Sequence, residues 1–115
     1  MSEVRLTKDS DALICALYKD YLQKRKDGVP KGQAKSLGNA SYIQRTVVPK
    51  WLLGDVEETL WELDRAGLLI CNPGGNTVTA TVLADDGIIY MEKRFQNGLT
   101  DILDYVEKVK AILLW

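Results

Sequence analysis

The chain has 115 residues, of which 46% are hydrophobic and 27% charged, and its formal net charge is −1. These values are typical of one domain with a single core and exclude a disordered chain. No apolar run approaches the roughly 18 residues that cross a bilayer, and the first residues, MSEVRLTKDSDAL, have neither the basic start nor the apolar segment of a signal peptide. We therefore expect a cytoplasmic protein without membrane contact, with residues 1–115 forming one domain.

The composition also argues against catalysis and metal binding. Histidine, the commonest general base and zinc ligand, does not occur in the sequence. Cys15 and Cys71 lie far apart in apolar stretches, which predicts buried core residues rather than a metal pair. Phosphate-binding glycine motifs are missing, and Asp85 and Asp86 are typical of the first turn of a helix. We expect no enzyme, no metal and no cofactor.

The first half of the chain predicts three helices. A helix is expected from about Ser10 to Lys26, capped by Ser10 or Asp9. Its buried stripe is predicted to be Ile14, Leu17, Tyr18 and Tyr21. Glycines and prolines punctuate residues 29–53, where we predict a short helix over 31–37, a second over about 41–47 and a turn at Pro49.

The second half predicts a helix, a hairpin and two more helices. An Asp55 cap and the stripe Val56, Leu60 and Leu63 indicate a helix that ends at Gly67. Residues 68–71 are predicted to form a buried strand, NPGGN its turn, and residues 77–82 a return strand. This second strand would place Val78, Ala80 and Val82 on one side. Because a lone hairpin is marginal in water, its apolar side must pack on the flanking helices.

The last two helices are predicted over about 84–96 and from Thr100 onward. The first of them carries Ile88, Met91 and Phe95 on one face. The final helix, within residues 99–115, follows a core of residues 10–96. Its apolar residues at spacings of three and four fit either core packing or a coiled-coil-like homodimer contact. They are Leu99, Ile102, Val106, Val109 and Leu113.

Two motifs resemble a known family. ETLWELDRAGLLICN is similar to the recognition helix and first wing strand of winged helices, and VLADDGIIYME is similar to the "LTxxGxxYLE" motif of YjcQ-like and related winged helices of bacteria, phages and mobile elements. Ala84 stands where that pattern has a capping Thr, so Asp85 or Asp86 would have to cap the helix. The resemblance implies an α+β, mostly helical winged helix-turn-helix with extra C-terminal helices. It also implies double-stranded DNA binding by a phage or mobile-element regulator.

The charges favour an unusual DNA surface. The helix from Asp55 to Ala66 holds five acids against one Arg, which repels phosphates. Residues 19–50 instead hold eight cations against two acids, a net charge of +6. If residues 31–47 fold over the end of the first helix, these cations form one patch facing a DNA backbone. The predicted nucleic-acid-binding residues are Lys24, Arg25, Lys26, Lys31, Lys35, Arg45 and Lys50.

A protein-interaction module is the alternative. Trp61 lies nearly opposite the buried stripe of the acidic helix, so it is either covered by another segment, such as Trp51, or exposed as a contact residue for a protein partner. Together with the last-helix residues Ile102, Val106, Val109 and Leu113, it makes up the predicted partner or homodimer interface.

Overall fold

Helices and one antiparallel pair of strands make up the part of the chain that the computed structural model describes, residues 4–75 and 77–113, with side chains to residue 109. In chain order they are α1 (Lys8–Lys26), α2 (Lys31–Ala34), α3 (Ala40–Thr46), α4 (Leu53–Arg65), β1 (Leu69–Gly74), β2 (Thr77–Leu83), α5 (Asp85–Arg94) and α6 (Leu99–Leu113). The protein is therefore α+β and mostly helical, as predicted, with 61% helix.

Helix α1 is the centre of the core. Nearly all of its residues from Ser10 to Tyr18 are buried, and so is Tyr21, because α2, α4, α5 and α6 all pack on it. The predicted stripe of α1 is confirmed. Its predicted cap is wrong: the helix begins at Lys8, and the Thr7 hydroxyl accepts a hydrogen bond from the Ser10 amide at 3.1 Å.

The segment after α2 was predicted as helix and is instead paired with the sheet. Ser36 forms a bridge with Val82, and the Leu37 amide donates to the Thr81 carbonyl at 2.8 Å. The Leu83 amide donates in return to the Lys35 carbonyl at 2.8 Å. This pairing provides hydrogen-bond partners for backbone amides and carbonyls on the edge of β2 that is not paired with β1.

Helix α4 starts two residues before the predicted Asp55 cap. Leu52 occupies the N-cap and offers no side-chain hydrogen bond to the first turn. The predicted stripe of Val56, Leu60 and Leu63 is buried, which confirms it. An apolar N-cap leaves first-turn amides without the oxygen that Ser, Thr, Asp or Asn supplies.

The hairpin contains a register shift between Asn72 and Pro73. On β2 the shift falls between Val78 and Ala80: Val78 is buried before it and Thr81 and Leu83 are buried after it, whereas Ala80 and Val82 are partly exposed. The predicted common side of Val78, Ala80 and Val82 is therefore wrong. A bulge adds one residue to one strand and so moves the following side chains to the other face.

Helices α5 and α6 close the core. Ile88, Met91 and Phe95 of α5 are buried as predicted, and no side chain caps the helix, so the expected Asp85 or Asp86 cap is wrong. On α6, Ile102 and Val106 are buried against the core of their own chain. These two residues therefore belong to core packing, the first of the two alternatives.

Candidate nucleic-acid interface

The end of α1 carries three of the predicted DNA contacts. Lys24, Arg25 and Lys26 fill its last turn, where the negative end of the helix dipole favours cations. The Lys24 ammonium lies 3.1 Å from Asp20 and donates to the Ser36 carbonyl at 3.2 Å, while the Arg25 guanidinium donates to the Val29 carbonyl at 3.1 Å. These bonds hold the chain after α1 against the end of the helix.

Lys31 and Lys35 join this group from α2 and the residue after it. The Lys35 ammonium lies 2.6 Å from the Asp85 carboxylate, at the start of α5. The hydrogen bond and the charge of Lys35, with a smaller effect from Lys31, lower the pKa of Asp85. Lys31 and Asp85 also line one groove on the surface. One predicted cation, Lys35, is thus compensated by an acid fifty positions away.

Arg45 and Lys50 lie on α3 and on the loop before α4. The Arg45 guanidinium donates to the Ser41 carbonyl at 3.3 Å. Lys50 lies in a loop held by the side-chain amide of Gln44, which donates to the carbonyls of Pro49 (3.1 Å) and Trp51 (3.0 Å). Among the described residues, no hydrogen bond or ion pair connects Arg45 or Lys50 to the cations around the end of α1. The observed contacts therefore link Lys24, Lys31 and Lys35 through Ser36 and Asp85, and they include neither Arg45 nor Lys50.

Most of the positive charge in residues 19–50 is uncompensated. Lys24 and Lys35 form ion pairs, whereas the other six cations form none with any residue in the described ranges. Arg25, Lys26 and Lys31 are exposed and adjoin the end of α1. We call the group Lys24, Arg25, Lys26, Lys31 and Lys35 the basic end.

Two of the five acids on α4 serve the fold rather than the surface. The Glu62 carboxylate accepts hydrogen bonds from the hydroxyls of Thr7 and Ser10, both at 3.0 Å, and so ties α4 to the start of α1. The Asp64 carboxylate accepts from the Cys71 amide at 2.8 Å, on the edge of β1 that faces away from β2. Sequence reasoning missed both roles, because each partner is remote or belongs to the backbone.

The remaining acids of α4 are Asp55, Glu57 and Glu58. In the described part of the chain, only Glu58 forms an ion pair, a long one of 3.8 Å with Arg65. The outer side of α4 is therefore acidic, as predicted.

Trp61 is partly buried and packs against the core, so the structure favours the covered alternative for this residue. Val109 is partly exposed, and the side chain of Leu113 lies outside the described residues.

The other ionisable groups of interest are structural. Burial raises the pKa of the Cys15 thiol to about 12, with a contribution from the Asp11 charge, and burial raises that of Cys71 to about 11. Both cysteines are buried and unpaired, which confirms the prediction that they lie in the core. Within residues 4–75 and 77–113, no three acidic or cysteine side chains come close enough to hold a metal ion.

Comparison with protein-family models, curated proteins and solved structures finds no match to the chain. In the described part of the chain, no helix combines the length and the apolar character that crossing a bilayer requires. Any assignment of function thus depends on the geometry and charge of the residues themselves.

Proposed function

We propose that the chain is a winged helix. Support comes from the element order: α1, α3 and α4 precede the β1–β2 hairpin, and α4 packs on both α3 and β1. The pairing of Ser36 and Leu37 with β2 adds an isolated antiparallel bridge beside the hairpin. In this arrangement α3 and α4 form the helix-turn-helix and the hairpin forms the wing.

Its proposed role is binding the backbone of double-stranded DNA through the basic end, without catalysis. The supporting observation is the exposure of Arg25, Lys26 and Lys31, which have no carboxylate partner in the described ranges. Cations of this kind release counterions when they meet phosphates, and this release provides most non-specific affinity. The outward acids of α4 would repel DNA, so in this proposal α4 does not enter the major groove.

The test is a salt titration of binding to mixed-sequence duplex DNA, followed by fluorescence anisotropy. The slope of log affinity against log salt should be about −0.9 for each phosphate neutralised. Changing Arg25, Lys26 and Lys31 together to Glu should abolish binding. Because the variant loses favourable helix-end cations and the Arg25 bond to Val29, it should be somewhat less stable, and circular dichroism should show that it is still folded at the assay temperature.

The matched control reverses the same amount of charge elsewhere. Changing Arg65, Lys93 and Lys108, which are also exposed, to Glu should weaken binding far less. Equal losses in both triple variants would mean that net charge alone matters, and no binding at low salt would end the DNA proposal. A regulator carried by a phage or mobile element is the setting that the resemblance implies.

A protein-interaction module is the second candidate, favoured by Asp55, Glu57 and Glu58 on the outer side of α4. Of these three carboxylates, only that of Glu58 lies near a cation, Arg65, at 3.8 Å. Such a surface repels phosphates but suits a cationic protein partner. Absence of DNA binding by the wild type at every salt concentration would favour this candidate over the DNA proposal.

A further inference from the structure

The start of α4 exposes two leucines that its own fold does not require. The side chain of Leu52 is 73% exposed and that of Leu53 is 42% exposed. Leu52 also occupies the N-cap, where a polar side chain would stabilise the helix and where its own makes no hydrogen bond. Neither burial nor capping explains a leucine here, and the two adjacent leucines form an apolar surface that another molecule could cover.

A groove lies close to these leucines along the chain. It has a volume of about 280 Å³ and is lined by Lys19 of α1, by Thr46, Val47 and Pro49, and by Leu103, Val106 and Glu107 of α6. Leu103 is 45% exposed in it, whereas Val106 is buried. A cavity of roughly 150 Å³ holds a benzene molecule, so the groove has room for leucine side chains.

We propose that two copies of the chain pair about a two-fold axis, with Leu52 and Leu53 of each copy entering the groove of the other. Pro49 lines the groove, and Leu52 is three residues further on, so at most about 11 Å of chain separates them. A two-fold interface pairs the same surface on both copies, so a projection and a depression on one surface can each receive the other.

The charges around this surface are also complementary. Asp55 and Glu57 follow the leucines and form no ion pair in the described part of the chain. Lys19 lines the groove, and the exposed Lys50 follows Pro49. In the proposed pair, the acids of one copy approach the cations of the other, and Glu107, which also lines the groove, offsets only one of the two positive charges. This contact replaces the last-helix seam, whose residues Ile102 and Val106 are buried within their own chain.

Sedimentation velocity over a range of concentrations tests the proposal. The wild type should pass from monomer to dimer and stop there, and Leu52→Asp should remain monomeric. An aspartate at the N-cap can accept a hydrogen bond from the first turn, so this variant should melt no lower than the wild type. That result separates loss of contact from loss of folding.

The matched control is Ile70→Asp, which places the same change at a 54% exposed residue on the hairpin. It should leave the dimer intact. A wild type that stays monomeric at high concentration would overturn the proposal, and so would a dimer unaffected by Leu52→Asp. Growth beyond the dimer would indicate head-to-tail assembly and overturn the two-fold arrangement.

Cross-linking tests the pairing of residues directly. An equimolar mixture of Leu52→Cys and Leu103→Cys, one carrying an affinity tag, should give a disulfide-linked mixed dimer under mild oxidation. Such a bond requires Cα atoms within about 7 Å. Native Cys15 and Cys71 are buried and should not compete. Leu52→Cys mixed with Ile70→Cys should give only background, and equal yields from both mixtures would contradict the proposed contact.

Discussion

Asp11 joins three helices that are far apart in the sequence. The Arg94 guanidinium of α5 donates to both oxygens of the Asp11 carboxylate, one of them at 3.2 Å, and the Tyr105 hydroxyl of α6 donates to it at 2.5 Å. The guanidinium carbon also lies over the rings of Phe95 (4.9 Å) and Tyr105 (4.6 Å). Sequence reasoning did not single out any residue of this cluster except Phe95.

The electrostatics of the cluster give it a defined pH dependence. Burial works to raise the pKa of Asp11, but the hydrogen bonds from Arg94 and Tyr105 and the Arg94 charge together lower it below the ordinary 3.8. A carboxyl group whose pKa is lower in the folded protein contributes stability above its unfolded pKa. This contribution is lost as the pH falls through the folded-state value.

We predict that Asp11→Asn lowers the free energy of unfolding by about 2 kcal/mol at pH 7, because charged hydrogen bonds to Arg94 are lost. The difference between wild type and variant should stay constant above about pH 5 and shrink below about pH 4. Urea denaturation at a series of pH values measures both. The exposed Asp9→Asn in the same helix should show a much smaller change, and an equal change would deny Asp11 a special role.

At the scale of elements, the sequence predicted helices better than their ends. The periodic apolar residues of α1, α4 and α5 are buried as expected, because a helix must turn one face to the core whatever its neighbours are. The caps were wrong because a neighbouring residue caps α1, and because α4 and α5 begin after Leu52 and Ala84, whose side chains cannot cap. Thr7, for example, caps α1 while also donating to Glu62.

Pairing within the sheet was the least predictable part of the fold. The two-residue contact of Ser36 and Leu37 with β2 is too short to leave a periodic pattern. The register shift after Asn72 reverses an alternation that the sequence shows as uninterrupted. Contacts between distant residues of the candidate site were equally unpredictable. The cations of the basic end are visible in the sequence, but the ion pair between Lys35 and Asp85 appears only in the structure.

Gly87 sets how closely α5 approaches the chain before β1. A Cβ atom at this position would lie 2.3 Å from the Leu68 carbonyl oxygen, which is backbone and cannot turn aside. Alanine favours a helix over glycine by about 1 kcal/mol. Here overpacking should outweigh that gain, so we predict that Gly87→Ala lowers the free energy of unfolding by about 1–3 kcal/mol.

Gly54 is the matched control for this prediction. It lies in α4, and a Cβ atom there would meet nothing within 4 Å. Gly54→Ala should leave stability unchanged or raise it by up to about 1 kcal/mol. Urea denaturation of both variants provides the comparison. Stabilisation by both substitutions would show that α5 can move away from Leu68 at little cost.

At the scale of the whole molecule, α6 is an integral part of the core. It packs along α1, and Ile102 is completely buried there. Truncating a buried isoleucine removes apolar contacts and leaves a cavity, so we predict that Ile102→Ala lowers the free energy of unfolding by about 2–5 kcal/mol. Calorimetry should show one transition for both proteins.

The exposed Lys108→Ala in the same helix is the control and should change stability by less than about 0.5 kcal/mol. A small effect of Ile102→Ala, or a separate early transition, would mean that α6 is only loosely attached. In that event its apolar residues would again be available to a partner.

Positive and negative charge are partly separated over the folded molecule. The sequence has a positive first half and a negative second half, and the fold keeps part of this separation while using Asp85 and Glu62 to connect the halves. The surfaces that remain are the basic end and the outer side of α4. The distribution of charge along the sequence predicted both surfaces. The exposure of Leu52 and the groove near it are visible only in the three-dimensional structure.

The partners of Asp11 also govern when the protein can finish folding. Arg94 and Tyr105 come 83 and 94 positions later in the chain. Contacts across such separations must overcome a large loop-closure entropy, and proteins rich in them fold slowly. During synthesis, α1 must therefore wait, with its apolar sides uncovered, until the ribosome has released the chain as far as Tyr105.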